Sequence, residues 1–160
     1  MAPITNYSKD LGDREPLAAM RDSIARMMAL TRGWTADEFE RPYAPGKWTA
    51  RLVVIHLAQT ELALGVRARM ALATPNYTAQ NFDQDTWLGR ETALNGADAV
   101  AALAAISRMN VALFETLSSA DRETAMAHPE YGSITVDWII HTIAGHQIHH
   151  LAQLVSIPNS

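Results

Sequence analysis

Four stretches of this chain repeat their apolar residues at intervals of three and four, and each is bounded by proline, glycine or a capping hydroxyl. That periodicity belongs to amphipathic helices and leaves little room for strands. The first stretch runs between Asp13 and Leu30, with Leu17, Met20, Ile24, Met27 and Met28 as its stripe, Asp13 as its cap and Pro16 in its first turn. The second is expected to start after Thr49 and to stop before Pro75, with Leu52, His56, Thr60 and Ala63 facing inward. The third, from about Ala97 to Leu117, aligns Val100, Leu103, Ile106, Asn110, Leu113, Phe114 and Leu117. The fourth begins near Thr135 and runs to about Val155, with Pro158 beyond it. Between the second and third lies a polar stretch from Thr74 to Asn95, long for a helical connection and of the kind that often covers a site. Four such helices bury their stripes most simply as an all-α four-helix bundle, and no segment makes a convincing strand.

The chain has 160 residues, of which 48% are hydrophobic and 19% charged. It reads as one domain over residues 1–160, with residues 1–12 expected to be a loosely ordered N-terminal segment. A domain of this size buries enough surface to fold without a metal, so a metal site in it would serve function. The net charge is −4, and the basic residues are scattered singly, which argues against nucleic acid as a partner. Cysteine is absent, so the protein supplies neither thiolate ligands nor a nucleophilic thiol. No signal-like N-terminus and no long apolar run is evident, which makes the cytoplasm the expected location and a membrane an unexpected partner.

Three histidines occupy positions where leucine is expected. On the fourth helix the inward column reads Ile139, Ile143, His146, His150, Gln153 and Leu154, and on the second helix His56 sits between Leu52 and Thr60. A single inward histidine is commonly a hydrogen-bonded core residue. Three share a cost: each buried ring nitrogen left without a partner loses roughly 1–3 kcal/mol, and one cation satisfies all of them. His146 and His150 are one turn apart on one face, and His56 adds a third ligand from a neighbouring helix. Three ligands leave coordination positions open, as in catalytic rather than closed structural sites. His149 lies to one side and is a candidate to support a ligand rather than to bind the ion, and so is Gln153, which returns to the ligand column. His141 and His128 are expected to be solvated. Imidazole donors suit zinc or nickel, and also iron.

Competing motifs fail. His146-Gln147-Ile148-His149-His150 has the spacing of a zinc-protease helix, but Gln147 stands where that chemistry needs a glutamate base. No Glu-x-x-His pair supports a di-iron bundle.

Taken together, Pro45-Gly46-Lys47-Trp48-Thr49, then His56-Leu57-Ala58 with Glu61, then His146-Gln147-Ile148-His149-His150 with Gln153, resemble the DinB/YfiT-like family of metalloenzymes. The resemblance spans roughly Arg41 to Leu154. It implies His56, His146 and His150 as the metal triad, an up-down-down-up bundle and a homodimer. The family commonly carries Glu where this chain has Gln147. Its better-studied members use a low-molecular-weight thiol, as S-transferases or as a mycothiol-dependent isomerase, which implies a metal that activates an external thiol toward a small electrophile.

Two further functions compete with that reading. In a metal-dependent hydrolase the ion would acidify a water, and Asp83, Asp85 or Glu61 would have to accept its proton, although Glu61 lies about 140° round the helix from His56. In a non-enzymatic binding bundle the histidines would only line a small-ligand or metal pocket. Trp48 and Trp138 are expected to pack as ordinary aromatics near helix starts. Trp87 in the long connection, and Arg41, Lys47 and Arg51, are candidates for contact with an acidic ligand.

Overall fold

The computed structural model describes residues 2–157. Pro158, expected to stop the last helix, lies outside them. The elements in order are α1 (Ser8–Leu11), α2 (Pro16–Leu30), α3 (Ala36–Phe39), α4 (Ala50–Ala73), α5 (Gln84–Arg90), α6 (Gly96–Phe114), α7 (Ser119–Arg122), β1 (Ala125–His128), β2 (Gly132–Thr135) and α8 (Val136–Val155). The four long helices α2, α4, α6 and α8 form the bundle, each packed on two of the others: α4 on α6 and α8, and α2 on the same pair.

Capping chemistry sets where these helices begin. Thr49 accepts from the Leu52 amide at the start of α4, as the sequence predicts, and Thr135 accepts from the Trp138 amide at the start of α8. The start of α2 differs: Glu15, not Asp13, accepts from the amides of Leu17 and Ala18, because Pro16 fixes the first turn directly after it. Met28, expected in the inward stripe, is 43% exposed.

Polar cross-links give the helix directions. Arg51, at the start of α4, donates to the carbonyls of Thr92 and Leu94 just before α6, while Arg69 near its end reaches Asn110 and the Met109 carbonyl far along α6. Hence α4 and α6 run parallel. Arg21 in α2 pairs with Glu115 just past the end of α6, so those two are antiparallel. Val53, Val54 and Leu57 early in α4 cluster with Leu151 and Leu154 late in α8, while Leu64 and Ala68 further along α4 cluster with Ile139 and Ile140 near the start of α8, so these also oppose. The result is an up-down-down-up order.

Parallel neighbours explain the long connection. A helix of 24 residues is about 36 Å long, and a chain leaving its end must return that distance before α6 can start beside it. The returning segment is not wholly irregular: α5 forms within it, capped by Asp83 accepting from the Thr86 amide at 2.8 Å.

Two expectations are corrected. Strands do occur, as a short antiparallel hairpin pairing Ala125 with Thr135 through His128 with Gly132, and Ala79 and Ala127 bond the long connection to it. The N-terminal segment is docked, not loose: Leu11 is buried, and Tyr7 lies against α8 at Gly145, where a Cβ would come within 2.5 Å of the Tyr7 carbonyl oxygen. Only glycine admits that approach.

The core divides into two apolar lobes. One gathers Met20, Leu64, Ala68, Phe114, Ile139, Ile140 and Ile143; the other gathers Met27, Val53, Val54, Leu57, Leu103, Leu151 and Leu154. Between them every long helix contributes buried polar residues: Ser23 from α2, His56, Gln59, Thr60 and Glu61 from α4, Ser107 and Asn110 from α6, and His146, Gln147 and His150 from α8. By length and composition α6 could cross a membrane, but here Leu103, Ala104, Val111 and Phe114 turn its apolar stripe into the bundle.

Candidate metal centre

The polar layer is where α4 and α8 bring their histidines together. His56, His146 and His150 are all buried, and one ring nitrogen from each lies within 4.8 Å of the other two. The rings stand nearly edge-on to one another, with centroids 4.5–5.1 Å apart. His56 Nε2 and His146 Nε2 are 3.0 Å apart. Two imidazole lone pairs do not rest at that separation unless a proton or a cation lies between them.

Burial keeps the rings neutral. It lowers His56 to about 4, and lowers His150, helped by the neighbouring His56, to about 3. His146 is held well below its ordinary value, again chiefly by desolvation and then by His150. Neutral imidazole is the ligand form, so the trio needs no deprotonation at pH 7 to bind a metal.

Hydrogen bonds fix the orientation of His150. Its Nδ1 lies 2.7 Å from Gln153 Oε1, which can only accept, so Nδ1 carries the proton and Nε2 keeps its lone pair. The Gln153 amide donates to His149 Nε2 at 3.3 Å, and His149 Nδ1 in turn faces Asp10 Oδ1 at 3.3 Å. This is a directed chain from Asp10 through His149 and Gln153 to His150, the outer support that sets ligand tautomer and basicity in metal sites. His149 and Gln153 were singled out by sequence for this position; Asp10 was not.

The other two rings are held by packing. Trp48 stands 5.0 Å from His56, and Tyr7 stands 4.9 Å from His146, both centroid to centroid. The Pro45-Gly46 turn, with Gly46 at φ 71°, thus delivers both a wall for His56 and, one residue later, the cap of α4. Trp48 therefore packs as an aromatic, but against the candidate site.

Gln147 turns away from the trio, as its place on the helix predicts, and meets Glu61. Glu61 is 1% exposed and accepts from Gln147 Nε2 and from Asn110 Nδ2, the latter at 2.9 Å; Gln147 also donates to Ser107. Burial raises the Glu61 carboxyl above its usual range. Its engagement there removes Glu61 as a base for chemistry at the histidines.

A cavity of about 650 Å³ reaches two of the three histidines, His56 and His146, with Tyr7, Thr60 and Thr142 beside them; His150 does not line it. The Thr60 and Thr142 hydroxyls are buried there without a protein partner, as is His56 Nδ1. Unpaired polar atoms beside three convergent nitrogen donors fit a site that takes up an ion and a ligand together. The far end is lined by Arg67, the 81–84 segment of the long connection, and the hairpin residues His128 to Tyr131.

Several expected contacts fall elsewhere. Arg51 is tied to Glu40, Lys47 is exposed, and neither these nor Arg41 line the cavity. Trp87 packs on Phe82, which does line it. Asp83 is on the cavity wall while Asp85 is not. His128 and His141, expected to be solvated, are partnered: His128 Nδ1 accepts from the amides of Glu130 and Tyr131, and His141 Nδ1 bonds the Asp137 carbonyl. His128 is buried because it ends a strand of the hairpin, which the sequence pattern does not announce.

A family model for the DinB superfamily matches residues 19–154. The chain belongs to the DinB superfamily. Among its relatives, a Bacillus licheniformis protein named as a candidate metal-dependent hydrolase is 28% identical over 161 residues, covering 95% of this chain and 91% of the relative. An Oceanobacillus iheyensis protein with the same designation is 29% identical over 122 residues, covering 76% of this chain and 71% of its own. Of solved structures, YfiT from Bacillus subtilis, described as a candidate metal-dependent hydrolase with an unusual four-helix bundle topology, superposes with a TM-score of 0.82 at 21% identity over 98% of this chain and 89% of that one. A mycothiol-dependent maleylpyruvate isomerase superposes at 0.73 with 14% identity, over 97% and 68%. At those identities the two structures speak for the shared fold.

Proposed function

We propose that this chain is a metal-dependent enzyme that holds one divalent ion on His56, His146 and His150 and acts on a small molecule in the adjoining cavity. The observation that carries the reading is the convergence of three buried, neutral imidazoles on one another, two of them, His56 and His146, on the wall of a cavity of about 650 Å³. That volume is in the range of small-molecule sites. A divalent ion held by these three residues would supply Lewis acidity and so lower the pKa of a nucleophile bound beside them.

The chain's own residues do the rest. Gln153 and His149 hold the His150 ring in the ligand tautomer, Trp48 and Tyr7 keep water from the sides of His56 and His146, and the Thr60 and Thr142 hydroxyls offer hydrogen bonds to whatever enters. Glu61, the buried acid nearest in sequence to His56, is held by Asn110 and Gln147 and takes no proton from the cavity. A nucleophile that ionises without a strong base suits such a site. We therefore favour an external low-molecular-weight thiol transferred to, or isomerising, a small electrophile, the protein having no cysteine of its own. The likeness to the mycothiol-dependent isomerase is consistent with that choice. Hydrolysis is the second reading; the designation of the relatives favours it, and Asp83 on the cavity wall is its available carboxylate.

Metal-loaded protein assayed with a thiol panel and 1-chloro-2,4-dinitrobenzene, beside 4-nitrophenyl acetate without thiol, separates the two. Metal-dependent turnover only with thiol supports transfer. Turnover of the ester alone supports hydrolysis, and no turnover in either makes the chain a binding bundle.

A further inference from the structure

Arg67 is a buried cation without a counter-ion. It is 8% exposed and lines the cavity, and its Nη2 donates to the Gln80 carbonyl at 2.5 Å. Among the described residues no carboxylate comes within ion-pair distance of it. Glu130, exposed at the hairpin turn, attracts it from farther off. A guanidinium taken out of water is costly unless a charge meets it, and its fork geometry suits a planar carboxylate.

His128 stands with it. Its Nδ1 accepts from two backbone amides, Glu130 at 3.2 Å and Tyr131 at 3.3 Å, so the ring proton sits on Nε2 as a donor. No described group accepts from that Nε2. The ring is 6% exposed, lines the same cavity and is close enough to Arg67 to feel its charge. Two buried donors from different elements, α4 and the hairpin, thus line one space; the exposed Glu130 carboxylate and the Tyr131 ring lie near both, but neither accepts a hydrogen bond from them.

We infer that the end of the cavity away from the histidine trio is a carboxylate-binding pocket, in which Arg67 and His128 seat the anionic end of the small substrate or co-substrate. Arg67 is on the His56 column of α4, about three turns on and about 20° round, so its long side chain, leaning back toward the helix start, leaves on the order of 10 Å between the anion and the trio. The ligand class is therefore a small acid whose carboxylate is separated by several bonds from its reacting atom. The inference rests on the trio as the reacting end, but the pocket can be tested without that chemistry.

Isothermal titration of the full-length protein, as purified and after chelation, with glutarate, with its uncharged diamide and with inorganic phosphate provides the test. Glutarate is expected to bind both preparations and the diamide to fail. Arg67→Gln and His128→Phe, each checked for native helicity by circular dichroism, should each weaken glutarate roughly ten- to hundredfold. Arg67→Lys, which keeps the charge without the fork, should fall between and decides the matter if the Gln variant does not fold. Glutarate affinity unchanged by these substitutions, no glutarate binding to either preparation, or binding of phosphate alone would overturn the pocket. Failure of the metal reading would appear separately, as a protein without metal that still binds glutarate.

Discussion

Replacing Gly145 by alanine probes how the N-terminal segment supports the histidines. A Cβ there would lie 2.5 Å from the Tyr7 carbonyl oxygen and 2.6 Å from the Tyr7 Cβ, both closer than such atoms approach. The long helix α8 cannot yield, since Ile143, Ala144 and His146 on either side are buried. The Tyr7 end must therefore move, and the carbonyl displaced is the one that accepts from the Leu11 amide at 3.0 Å. Undocking exposes Leu11, a loss of about 1.5–3 kcal/mol, while alanine returns about 1 kcal/mol to α8 through helix propensity. The two effects act on different units, so the bundle should melt within a few degrees of wild type while the segment opens locally. Hydrogen exchange followed by mass spectrometry reads the difference: protection at Leu11 and Gly12 is expected to fall roughly tenfold or more, with α4 and α8 unchanged. Wild-type protection of these amides in Gly145→Ala would refute the close-packing account of this contact.

Other consequences follow from the same network. Gln153→Leu removes the acceptor that fixes the His150 Nδ1 proton, so zinc affinity should drop roughly tenfold or more by competition with a chelator while the fold is kept. Metal-free protein should lose stability below neutral pH. The folded pKa of His56, about 4, lies beneath that of the unfolded chain, so its contribution is full above about 6.5 and fades as pH falls toward 4; urea midpoints should show a loss of about 2 kcal/mol from this residue between pH 7 and 5. Glu61→Ala strands the Asn110 and Gln147 amides and should cost about 2–4 kcal/mol in urea unfolding, more than Glu61→Gln. Gln147→Glu sets a second carboxyl against Glu61, whose own carboxyl burial already raises, so its thermal midpoint should fall more steeply than that of wild type as pH rises above the usual carboxylate range.

The four long helices were legible because each carries a full stripe and a side-chain cap, and the histidine columns because imidazole on an apolar stripe breaks the pattern in a visible way. What stayed hidden depends on partners distant in sequence. The hairpin strands Ala-Met-Ala-His and Gly-Ser-Ile-Thr are only four residues each and hold few strongly strand-forming side chains. The docking of α1 is decided by the missing Cβ of Gly145. Asp10 joins His149 across most of the chain's length, and Glu61 meets Gln147 from another helix. Arg67 did leave a signal: it shares the helix face of His56, Thr60 and Leu64, and a cation on that buried face is as anomalous as a histidine. A search of the column for apolar residues alone passes over it.

Metal content of untagged protein, determined by mass spectrometry beside His56→Ala, His146→Ala and His150→Ala, tests the central claim most directly. The account predicts about one divalent ion per chain in the wild type and its loss in each folded variant. Wild-type protein that carries no metal and takes up neither zinc, nickel nor iron on titration would contradict it.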